Sequence, residues 1–151
     1  MPNKPLAIVA AGLAGGAADI LTAFVIYRPA TPDRILQAVA AGLLGPASFD
    51  QGMTSVAIGA VSHFVISILF AGLYVVGAGY APVLLRKPVI SGLTFGVFVY
   101  GVMNAIVVPL SLAPERPVPP DPMIGLGLMA HAFFGIALAV AAARILRTPK
   151  I

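Results

Sequence analysis

Cysteine and tryptophan are absent from the 151 residues, and only 9% of the chain is Asp, Glu, Lys or Arg. Without cysteine there can be no disulfide, thiolate metal centre or cysteine nucleophile. Without tryptophan, aromatic anchoring at a membrane interface falls to Tyr27, Tyr74, Tyr80 and Tyr100. The scarcity of charge matters most. Soluble domains carry about 25% charged residues, and this chain has too few to cover a soluble surface. The pI near 9.9 does not signal nucleic-acid binding, because the basic residues are scattered at segment ends rather than clustered.

What is present is apolar: 60% hydrophobic residues and a mean hydropathy of +1.02. Crossing a bilayer takes about 20 apolar residues. Four stretches are long enough, at about residues 6–27, 53–80, 88–112 and 123–146. The sequence therefore predicts one all-α integral membrane domain of four transmembrane helices, with the lipid bilayer as its main partner. The connections are turn-forming: Arg28-Pro29-Ala30-Thr31-Pro32, Ala81-Pro82, Lys87-Pro88, and a Pro-rich connector from Pro114 to Pro122. Between the first two spans, Ile35 to Phe49 is apolar but too short to cross. Thr31-Pro32 opens it and Gly45-Pro46 closes it, which predicts a short interfacial helix on the outer side, about residues 33–45. Ser48-Phe49-Asp50-Gln51 then reads as the cap of the second span.

Four spans put both termini and the Arg86-Lys87 turn on one side. That side carries Lys4, Arg86, Lys87, Arg144, Arg147 and Lys150 and no acid, whereas the other mixes Arg28, Arg34 and Arg116 with Asp33, Asp50, Glu115 and Asp121. The positive-inside rule places the termini in the cytoplasm. The first span resumes after Asp19 and exceeds a signal peptide's apolar core, so a retained helix is expected.

Inside the spans, four strongly polar residues stand out: Asp19, His63, Asn104 and His131. At ~1.5 Å per residue, Asp19 and His131 both lie about 12 Å below the outer surface, with the other two at similar depth. An ionisable group at that depth is costly unless paired or hydrated, so the four are expected to face one another in the interior. Aligning the second and fourth spans on their histidines matches Gly59 with Gly127, Ile68 with Ile136 and Ala71 with Ala139. Aligning the first and third on Asp19 and Asn104 matches Gly16 with Gly101. The chain then reads as two parallel hairpins related by a pseudo-two-fold axis along the membrane normal, with residues 35–49 inserted in the first. Gly12-x-x-x-Gly16 and Gly92-x-x-x-Gly96, with Gly101 beyond, mark close-packing faces within the bundle, or a homodimer or larger membrane assembly.

The cluster admits several chemistries. As a structural device it would hold the helices in register, in a structural or partner-binding membrane subunit. An Asp–His pair suits a proton relay or the site of a small channel or carrier. Two histidines on separate helices could bind b-type haem, or zinc with Asp19, although no cofactor is required. Catalysis is the weakest reading: Ser67 lies one turn from His63, but no oxyanion motif accompanies it.

The stretch Gly42-Leu-Leu-Gly-Pro-Ala-Ser-Phe49 followed by Gly59-x-x-x-His63-Phe64, together with Val99-Tyr-Gly-Val-Met-Asn104 and Val108-Pro-Leu-Ser111, resembles a group of small uncharacterised bacterial inner-membrane proteins. The resemblance covers most of the chain. It implies a four-helix inner-membrane protein and assigns no activity to any residue.

Overall fold

A computed structural model describes residues 3–114 and 121–147; the Glu115–Pro120 part of the connector and the extreme termini lie outside the described residues. All the regular structure among them is helical. The helices are α1 (Lys4–Ile26), α2 (Pro32–Leu44), α3 (Met53–Tyr80), α4 (Val83–Arg86), α5 (Pro88–Val102), α6 (Val108–Leu110) and α7 (Asp121–Arg147), with a 3-10 helix at Gly45–Asp50 and a π-turn at Met103–Val107. Four segments are long and apolar enough to cross a membrane: Lys4–Ile26, Met53–Tyr80, Pro88–Leu110 and Pro122–Arg147.

Proline and glycine set the boundaries. Thr31 caps α2 by accepting from the Arg34 N–H at 3.5 Å, and Pro32 starts it with no N–H to leave unpaired. Gly45, at φ +63°, ends α2 at the Gly45-Pro46 stop expected from the sequence, and the chain tightens into the 3-10 helix. Ser48 does not cap α3 as expected. It is buried with its hydroxyl unpaired, and Gly52, at φ +56°, takes the cap position, its carbonyl accepting from Ser55 Oγ at 3.0 Å. On the third span Pro109 has no N–H and would crowd the carbonyl four residues back. The helix widens into the π-turn and stops at Leu110, two residues short of expectation.

The spans pack through missing side chains. A Cβ on Gly12 would lie 2.6 Å from the Ile68 Cα, so α1 meets α3 backbone to backbone. On Gly15 it would lie 3.0 Å from the Phe134 carbonyl of α7, and on Gly92 2.5 Å from the Gly135 carbonyl. Gly96 fits against the His131 carbonyl with no room for a methyl. Thus α1–α3, α1–α7 and α5–α7 are intimate edges. Because these glycines are buried within the chain, Gly12, Gly16, Gly92 and Gly96 are not a free dimer face. Gly101 is not a packing residue at all: it is exposed, with open space where its Cβ would be.

These contacts revise the internal repeat. Gly12 touches Ile68, and Gly92 touches Ile136, the residue matched to Ile68. Gly16 abuts Phe64 and Ser67, whereas Gly96 abuts His131 and Ala132, and Ala132 is the match of Phe64. The register of α1 onto α5 is therefore eighty positions, not the eighty-five that pairs Asp19 with Asn104. In the corrected register Asp19 corresponds to Val99.

The fourth edge breaks the symmetry. Where α1 carries Gly15, α5 carries Phe95, and the α3 and α5 backbones stay apart. Rings bridge them: Tyr74 meets Phe95 edge-on at 5.0 Å. Tyr74 Oη donates to the Leu84 carbonyl at 2.8 Å and lies 3.1 Å from Ser91 Oγ. At the other end α2 bridges the same gap. Gly59 of α3 admits the Leu36 carbonyl of α2, and the Leu112 N–H beyond α6 donates to the Gly42 carbonyl at 3.0 Å.

Gly96→Ala is expected to destabilise the fold by about 1–3 kcal/mol, since the methyl overlaps the α7 backbone. Gly101→Ala, in open space, should be neutral or slightly stabilising. Thermal unfolding of both variants in detergent checks the contrast; equal midpoints would show that the close edges are not tight.

Candidate functional site

The splayed edge leaves a cavity of about 70 Å³, room for a few water molecules. It is lined by Asp19 from α1, Val39 from α2, His63, Ile66, Ser67 and Phe70 from α3, Val99 and Met103 on the third span, and His131 and Phe134 from α7. Three of the four predicted polar residues meet here. Asn104 does not. It sits in the π-turn, exposed, its Nδ2 donating to the Tyr100 carbonyl at 2.9 Å. The helix widening at Pro109 and the corrected repeat register both explain its absence: Val99, not Asn104, takes the position equivalent to Asp19.

The position of Asp19 follows from the glycines before it. Gly15 and Gly16 let α1 sink between α7 and α3, and the next turn carries Asp19 into the space between His131 and His63. Its side chain is 16% exposed and that of His131 22%. The shortest link between them, His131 Nδ1 to Asp19 Oδ1, is 3.7 Å, too long for a hydrogen bond. Asp19 Oδ1 is sealed from solvent and has no hydrogen-bond partner.

Both histidines are held by backbone carbonyls instead. His63 Nε2 lies 2.9 Å from the Gly16 carbonyl, and His131 Nδ1 lies 2.9 Å from the Gly127 carbonyl one turn back. A carbonyl oxygen can only accept, so these two ring nitrogens carry protons. In the neutral imidazoles that leaves His63 Nδ1 and His131 Nε2 as bare acceptors. Tyr100 packs edge-on against His131 at 5.3 Å, in space left by Gly127. Phe70 and Phe134 meet edge-on at 6.5 Å along the cavity wall.

The neighbouring hydroxyls are spent locally. Ser67 Oγ donates to the His63 carbonyl at 2.8 Å, Ser62 Oγ to the Ile58 carbonyl at 2.7 Å and Thr22 Oγ1 to the Ala18 carbonyl at 2.7 Å. Ser67 is therefore not a nucleophile activated by His63, because its proton points to the helix backbone. No three His or carboxylate groups among the described residues gather closely enough to hold a metal ion, so a zinc site built on His63, His131 and Asp19 is not formed. The lining contains no Lys or Arg.

Reading polar residues alone missed Val99 and Met103 in the lining and Tyr100 against His131. Only Tyr100 left a trace in the sequence, in the small residue Gly127 that makes room for it. No family model, curated protein or solved structure matches the chain.

A carboxylate oxygen sealed from solvent without a hydrogen bond is expensive, so Asp19→Asn is expected to raise the unfolding midpoint in detergent, by about 1–3 kcal/mol of stability. Asn104→Ala should leave it within about 0.5 kcal/mol, as befits an exposed side chain bonded only to its own helix. A lower midpoint for Asp19→Asn would mean that the carboxylate is a structural anchor.

Proposed function

We propose that the chain is a small multi-pass inner-membrane protein whose Asp19–His63–His131 cavity handles protons or a small solute. The observation that carries this reading is the unsatisfied Asp19 Oδ1 facing His131 across 3.7 Å beside the cavity. A cluster serving only to hold helices in register would join its members by direct hydrogen bonds. Here only His63 ties two helices, through the Gly16 carbonyl; His131 bonds within its own helix, and one Asp19 oxygen is left over. Ionisable groups facing a cavity inside a membrane bundle characteristically mark ion or proton pathways, and histidine is the side chain whose charge changes most readily between about pH 5 and 8.

The alternatives fare less well. A purely structural or partner-binding subunit needs no unsatisfied carboxylate. A b-type haem between the two histidines needs far more room than about 70 Å³. The tight helix edges are filled within the chain, so assembly with a second copy or other subunits would use the remaining lipid-facing surface. The basic ends of the spans, with Arg147 Nη1 donating to the Leu85 carbonyl at 3.3 Å, support termini on one side. The Lys/Arg asymmetry supports the cytoplasm as that side. A reporter active only outside the cytoplasm, fused to the C-terminus, should be silent; strong activity would reverse the topology.

The functional test is dissipation of an imposed pH gradient in proteoliposomes containing a trapped pH-sensitive dye. Wild-type vesicles should relax several-fold faster than empty ones, and Asp19→Asn and His131→Ala should each remove most of the difference. Relaxation no faster than in empty vesicles anywhere between about pH 5 and 8 would overturn the proton reading.

A further inference from the structure

The lining of the cavity is one-sided in its hydrogen-bonding chemistry. With His63 Nε2–H and His131 Nδ1–H committed to the carbonyls of Gly16 and Gly127, the polar atoms left over are the Asp19 carboxylate, His63 Nδ1 and His131 Nε2. With both rings neutral, all three are acceptors. The Ser67 proton is already used. The remaining lining side chains, Val39, Ile66, Phe70, Val99, Met103 and Phe134, donate nothing. By element, the titratable groups are Asp19 on α1, His63 on α3 and His131 on α7; α2 and the third span contribute none. The nearest basic side chain along α1, Arg28, is exposed and nine residues beyond Asp19, about 13 Å away along a helix.

Such a site asks for two things. It needs hydrogen-bond donors in several directions, and a positive charge to balance a carboxylate held in a low dielectric. A metal cation would supply the charge, but the ligating groups do not converge on one point. A polyatomic cation with N–H donors supplies both, and the aromatic faces of Phe70 and Phe134 suit a small ammonium group as well. At about 70 Å³ the cavity has room for ammonium itself or a methylated relative. The open α3–α5 edge, where Phe95 replaces the glycine of the equivalent helix, creates the space.

We infer that the cavity is a binding site for a small ammonium-class cation, anchored on the Asp19 carboxylate. This rests on the reading of the same cavity as a proton or solute site and names the solute class.

Thermal unfolding of the detergent-solubilised full chain, titrated at constant ionic strength with ammonium chloride, methylammonium chloride, potassium chloride or tetramethylammonium chloride, tests it. Ammonium and methylammonium should raise the midpoint saturably. Potassium has the charge without donors, and tetramethylammonium has neither N–H groups nor the small size, so both should have no effect. The wild-type comparison needs no variant. Asp19→Asn, expected to fold at least as well, should lose at least about nine-tenths of the ammonium response. Equal shifts with ammonium and potassium would overturn the inference, as would an ammonium response retained in Asp19→Asn. No ammonium response, with an Asp19-dependent proton leak still present in vesicles, would overturn the inference and leave the proton reading standing. Absence of both would remove the two together.

Discussion

Helix backbones in this protein touch where side chains are missing, and everything else follows from where that contact is made and where it is refused. Helices this apolar would find no hydrophobic drive to associate in a bilayer, where close packing and polar bonds must do the work. Gly12, Gly15, Gly16, Gly92, Gly96 and Gly135 provide the packing, drawing α1, α3, α5 and α7 together along three edges. Phe95, standing where the repeat would place a glycine, refuses the fourth. Two similar hairpins thereby form an asymmetric bundle, and the cavity is the remainder.

Energetically the cavity is a concession. Asp19 could have been paired by a shift of about 1 Å toward His131, yet the His131 ring is turned to the Gly127 carbonyl. The fold thus holds a carboxylate short of satisfaction while fixing the tautomers of both neighbouring histidines. Side chains preorganised in this way cost stability and gain a defined chemical state, a combination more typical of binding sites than of packing cores.

Much of this was legible in the sequence. The four spans, the α2 insertion and the convergence of Asp19, His63 and His131 follow from segment length and from the cost of burying polarity. Asn104 shows where such reading stops. Position along a helix says nothing about azimuth, and Asn104 sits in the π-turn before Pro109, exposed and outside the cavity lining. The expected pairing of Asp19 with Asn104 likewise does not match the glycine contacts. Histidines align α3 with α7 because each stands alone in an apolar run, whereas in α1 and α5 the glycines, not the polar residues, keep the register. Gly101 was a false signal for the same reason, since a glycine marks close approach only if a neighbour is there. The tautomers were out of reach altogether, because they depend on which carbonyl each ring meets in three dimensions.

The Tyr74 hydroxyl, the Leu84 carbonyl and Ser91 tie the two separated helices together at one end only. Mechanically, α3 and α5 are the arms of a pair of tongs, with Tyr74 at the pivot and His63 eleven residues along one arm, about 16 Å away. A rotation of roughly 5° about the pivot would move the histidine end by about 1.4 Å, half the width of a water molecule. The backbone contact of α1 with α3 and the α2 bridge hold that lever still, so the chamber's width is set by the helices that grip the arms.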